Sequence, residues 1–229
     1  MSTNDKAKTG GASANSDAAS IVVQYHEIRG LAAPLRMMLS YRGVAYKNKF
    51  ADEWFSKEKA EVKQVNALAN LPTVFDKQDN GEVVVTQSCA TFWYIGNKLG
   101  LNGKTSAEKS RVDQIVCQVQ DLRNAVVRHV YKPRVKDSFE AFQNSITGHY
   151  EKLEAWFRHN GFIFSASNEI TTGDFHLWEM LDQNDEFARA FAKPSFVTSY
   201  PLLNAFYARF RLTPELKVCI AWVSKFVKH

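Results

Sequence analysis

The chain has 229 residues, 45% of them hydrophobic, enough to bury a core as one large domain or two small ones. Its 29 basic and 24 acidic side chains give a net charge of +5, and no block of like charges concentrates it, so nothing demands a nucleic-acid partner. No apolar run approaches the roughly 18 residues of a spanning helix, and no secretion signal opens the chain. The three cysteines, Cys89, Cys117 and Cys219, show neither metal-ligand spacing nor a disulfide framework. The expectation is a reduced, cytoplasmic protein with no metal and no membrane partner.

Residues 1–19, MSTNDKAKTGGASANSDAA, carry no large apolar side chain after Met1 and read as a disordered tail, because they cannot offset their ordering entropy. Ser20-Ile-Val-Val-Gln-Tyr25 reads as a strand with Tyr25 at its end, where functional groups commonly sit on rigid scaffolds. Pro34 falls in the first turn of a helix over 31–43, in which Leu31, Leu35, Met38 and Leu39 recur at helical spacing. A short strand covers 45–50, and helix-forming residues run from about 53 to 66. Pro72-Thr-Val-Phe75 and Glu82-Val-Val-Val-Thr86 then flank an Asp-Asn-Gly turn at 79–81, a hairpin signal. From Gln87 a further helix runs to a stop at Gly100.

A strand–helix–strand unit followed by a hairpin makes a four-stranded mixed sheet, parallel at the crossover and antiparallel at the hairpin. That is the α/β arrangement of a thioredoxin-like domain, assigned to residues 20–100. Residues 101–104 read as a linker, and Thr105-Ser-Ala-Glu108 has the spacing of a capping box. From 105 to 229 helical periodicity dominates, predicting an all-α bundle. One long helix reaches about Tyr131 and a second spans about 137–159. A third opens at Thr171, with Asp174 three residues on, and two more cover about 200–210 and 213–228.

Taken in order, Tyr25-x-x-x-Arg29-Gly30, Arg36, Leu71-Pro72, Gln87-Ser88, Gly103-Lys104-Thr105, Arg111-Val112-Asp113 and Thr171-x-x-Asp174-Phe175 resemble the cytosolic glutathione transferases, closest to the mu and sigma classes. The resemblance covers about 20 to 228 and implies a glutathione transferase fold, glutathione as co-substrate and a homodimer. It implies that the Tyr25 hydroxyl donates to the glutathione sulfur; a thiol of ordinary pKa near 8.5 is mostly protonated at neutral pH, and the thiolate is the nucleophile. His26 departs from the family pattern and either touches the thiol or lines the pocket. If Tyr25 is not the donor, His26 and Arg29 are the substitutes.

By the same resemblance Pro72 follows a cis bond, which lets the Leu71 backbone pair with the cysteinyl backbone of glutathione. Gln87 and Ser88 form an anion site at a helix start for the γ-glutamyl carboxylate. Trp54 and a lysine meet the glycine end, with Lys59 favoured over Lys57. Asp121 reaches the glutathione amino group of the other subunit. The electrophile faces His26, Leu31, Arg123 and Tyr131, whose hydroxyl would act as an acid. Leu68 stands where mu-class interfaces carry an aromatic plug, so the resemblance implies a dimer contact that is sigma-like or smaller. Cys89, just inside a helix, reads as a packed small residue. The alternatives on this scaffold are a glutathione-dependent isomerase and a non-catalytic ligand-binding or structural relative.

Overall fold

The computed structural model describes residues 19–130 and 139–223; the expected tail before residue 19, Tyr131 and the terminal residues 224–229 lie outside the described residues. The first half runs β1 (Ile21–Tyr25), α1 (Ala33–Tyr41), β2 (Tyr46–Phe50), α2 (Lys59–Val65), β3 (Thr73–Gln78), β4 (Gly81–Val85) and α3 (Ser88–Lys98). The strands lie in the order β2-β1-β3-β4. β1 and β2 are parallel because the helical crossover returns the chain to the same end of the sheet. β1 with β3, and β3 with β4, are antiparallel, the second pair joined by the tight turn at Asp79-Asn80.

Residues expected as one helix over 53–66 divide in two. A π-helical turn, Trp54–Glu58, precedes α2. The buried Glu58 carboxylate accepts from Gln24 Nε2 at 2.9 Å and from the Glu53 amide at 3.2 Å. Those bonds tie the turn to β1, and the widened turn buries Trp54 and Glu58 together while Phe55 and Lys57 stay exposed.

The second half is helical: α4 (Ser106–Val130), α5 (Phe139–Asn160), α6 (Thr172–Ala190), α7 (Pro201–Leu212) and α8 (Pro214–Val223). α6 is its centre, with every residue from Thr172 to Asp182 buried. Its start is fixed as expected: the Asp174 carboxylate accepts from the Thr171 amide at 2.7 Å and from the Ser165 amide at 2.7 Å. α6 packs on α4 within its own half and on α1 and α3 across the boundary, so it braces the sheet domain from behind. Among the described residues no helix is long and apolar enough to cross a membrane.

That cross-boundary packing buries a titratable group. His176 of α6 lies against Phe92 of α3, ring centroids 4.8 Å apart, and neither ring nitrogen has a hydrogen-bond partner. Burial, reinforced by the Arg123 charge, holds the imidazole down at about 3. In the unfolded chain histidine titrates near 6.5, so the folded state is the poorer proton binder. Stability is therefore intact above pH ~6.5 and falls as pH drops toward ~3, by about 1.4 kcal/mol per unit. Urea midpoints at pH ~7 and ~4 should drop steeply for the wild type and much less for His176→Leu; parallel losses would remove His176 from the account.

Candidate active site

The register brings four strand ends to one edge of the sheet. Tyr25 pairs with Phe50 at the ends of β1 and β2, Gln24 pairs with Thr73 at the start of β3, and Val74 pairs with Val85 at the end of β4. The segments that leave or enter there carry Tyr25, Trp54, Leu71-Pro72 and Gln87-Ser88. Residues 25, 54, 71 and 87 are thus far apart in the chain and joined by the topology alone.

Tyr25 is buried, and its ring packs against Gly30. A Cβ at residue 30 would stand 2.6 Å from both the ring edge and the hydroxyl, and Gly30 adopts φ +44°. Only glycine meets both demands, so Gly30 is part of how the hydroxyl is set. Leu31 follows in the same 3-10 turn and is buried. His26 is half-buried, its ring 5.6 Å from that of Tyr25.

The Leu71–Pro72 bond is cis. The loop before it is tied to the end of β4, where Thr86 Oγ1 donates to the Leu68 carbonyl at 2.8 Å and Gln87 Nε2 donates to it at 3.3 Å. Gln87 is held at φ 71° as the residue before α3, a conformation that costs a non-glycine residue about 1–3 kcal/mol. Such strain persists only where the surroundings over-determine it, and here it turns the chain so that Ser88 begins α3. The first amides of that helix and the Ser88 hydroxyl offer donors at a positive helix end.

Arg29 does not face this edge. Its Nη2 lies 2.7 Å from Glu179 and 2.7 Å from Asp182, and its Nε donates to Glu179 at 3.0 Å. Burial works against the charge, but the two α6 carboxylates outweigh it and raise the guanidinium above its ordinary value. Gln183 and Tyr207 complete the set by donating to Glu179 and Asp182, each at 2.6 Å. Arg29 is an interdomain strut and not a substitute for Tyr25.

Lys57 lies in the turn after Trp54 and Lys59 begins α2, and neither side chain is buried there. Lys57 is exposed and pairs with Glu61 at 3.7 Å; Lys59 is exposed and has no carboxylate partner among the described residues. Sequence reasoning missed Lys49 at the end of β2, 3.5 Å from Glu58, because its pairing depends on the π-turn. It also missed Phe55, whose ring stacks near His26 at 6.3 Å.

In the helical half, Asp121 is exposed on α4 and lines a groove of about 360 Å³ with Cys117, Lys152, Leu153 and Trp156, between α4 and α5. Arg123 is half-buried on another side of α4, near enough to act on His176. Cys89 is half-buried, and burial first, then Cys117 and Asp121, push its thiol up to about 11, against any role as a thiolate. Among the described residues no cluster of three or more metal-ligating side chains occurs.

Residues 21–97 match the family model for the glutathione S-transferase N-terminal domain, and residues 120–221 match that for the C-terminal domain. The chain belongs to the glutathione S-transferase family. Glutathione S-transferase Mu 1 of Oryctolagus cuniculus is 31% identical over 201 residues, spanning 84% of this chain and 86% of the relative. The glutathione S-transferase of Dirofilaria immitis is 30% identical over 196 residues, spanning 84% and 88%. The match to Mu 1 sets the enzyme near the mu class. The solved structure of NaGST-2 superposes with a TM-score of 0.72 over 88% of this chain and 95% of that one, at 22% identity, and has the same fold. The four-stranded mixed sheet and helical bundle are those of this family.

Proposed function

We propose that this enzyme transfers glutathione to soft electrophiles, with the Tyr25 hydroxyl donating a hydrogen bond to the sulfur and stabilising the thiolate. The convergence of Tyr25, the cis Leu71–Pro72 bond and Gln87-Ser88 at one sheet edge carries this reading. A hydrogen bond to the charged form of a thiol lowers its pKa, so more of the nucleophile is present at neutral pH. The Leu71 backbone pairs with the cysteinyl unit, and Gln87 and Ser88 take the γ-glutamyl carboxylate at the start of α3. Trp54 and Lys59 meet the glycine end, and the electrophile lies among His26, Leu31, Arg123 and Tyr131. Protein that neither conjugates glutathione to chlorodinitrobenzene nor binds glutathione resin would leave a non-catalytic relative as the better reading. An isomerase would instead convert its substrate without net glutathione consumption.

The site is completed by a second copy, in which Asp121 pairs with the glutathione amino group of the other subunit. Leu68, 67% exposed on the loop before Leu71, and the groove beside Asp121 supply the two halves of a self-complementary contact. Leu68→Glu would put a charge into that apolar contact and should weaken self-association by about 100-fold or more. Sedimentation at graded concentrations measures it; an unaltered dimer would move the contact elsewhere.

A further inference from the structure

Phe55 is the most exposed large hydrophobic side chain among the described residues, at 86%, yet it adjoins Trp54, which is 4% exposed. The two are successive residues of the π-turn, and turns of this kind recur at functional sites. The Phe55 ring lies nearly parallel to that of His26, 24° between planes and 6.3 Å between centroids. His26 in turn lies tilted by 59° against Tyr25 at 5.6 Å. Three rings therefore run from the buried Tyr25 through half-buried His26 to exposed Phe55, and the outermost does almost no work for the fold.

We propose that Phe55, steadied by His26, is a specificity-determining residue that favours electrophiles built on a flat aromatic ring. This rests on the transferase reading above. An electrophile that is attacked by a sulfur beside Tyr25 and lies along His26 reaches Phe55 next. A planar ring can stack on such a platform and cover the exposed Phe55 face, gaining area burial and favourable quadrupole geometry together. A flexible aliphatic enal presents no aromatic face and gains only the area. Because Phe55 is exposed, its removal leaves the core unchanged, and the difference between the two substrates isolates the platform.

The experiment compares wild type, Phe55→Ala and Phe55→Tyr with chlorodinitrobenzene and with hydroxynonenal. Phe55→Ala should lower kcat/KM for chlorodinitrobenzene by about tenfold, or about 1.4 kcal/mol, and leave the value for hydroxynonenal and the KM for glutathione little changed. Phe55→Tyr should restore most of the loss. Equal losses on both electrophiles, or none, overturn the inference while the transferase reading stands. A raised glutathione KM overturns it too, by assigning the ring to the co-substrate. Wild-type protein that conjugates neither electrophile sinks both readings.

Discussion

Replacing Tyr25 by Phe should cut glutathione conjugation at neutral pH by about 10–100-fold while glutathione affinity changes little. The estimate follows from one hydrogen bond to a charged group, worth about 1.5–3 kcal/mol, converted at about 1.4 kcal/mol per factor of ten. The ring itself remains, so its packing on Gly30 is preserved. The pH profile carries the sharper test. With the hydroxyl gone, the bound thiol should titrate about one to two units higher, so the rising limb of kcat/KM moves to higher pH. The deficit then shrinks in alkaline solution, where even an unassisted thiol ionises. Thiolate absorbance of the bound co-substrate measures the same shift directly. An unmoved limb with unchanged turnover would transfer the role to His26, since Arg29 is committed to Glu179 and Asp182.

Arg29→Ala should lower stability by about 3–5 kcal/mol, since it strands two carboxylates that the fold has buried together. Glu179 is 1% exposed and then keeps only Gln183 as a donor; Asp182 keeps Tyr207. Part of the loss should return at low pH, because burial already raises the Glu179 carboxyl and without Arg29 it takes up a proton more readily. The combined variant Arg29→Met, Glu179→Leu, Asp182→Leu should recover much of it, because an apolar set of similar volume avoids the desolvation cost altogether. Denaturant midpoints across the series decide this. A small loss for Arg29→Ala alone would mean that water reaches the pair, and that the two domains are joined by apolar packing instead.

Wherever the physics is local, the sequence by itself determined the outcome. The Asp79-Asn80-Gly81 turn, Pro34 at the start of α1 and the Thr171–Asp174 capping box each act within a few residues, and each stands where its signal put it. Tyr25, Leu71-Pro72 and Gln87-Ser88 were also legible, as spaced motifs on strand ends whose register then drew them to one edge. Tertiary structure decided what depends on partners distant in the chain. Arg29 was legible as a motif residue but not as a strut, for its carboxylates lie 150 and 153 positions away. The π-turn forms because Glu58 is bonded to Gln24 of another strand, an influence that helix propensity does not contain. His176 becomes acid-sensitive only when α3 covers it, and Phe55 acquires meaning only once folding sets it beside His26. Burial and long-range pairing are properties of the packed chain, and they set both the charge states and the shape of the site.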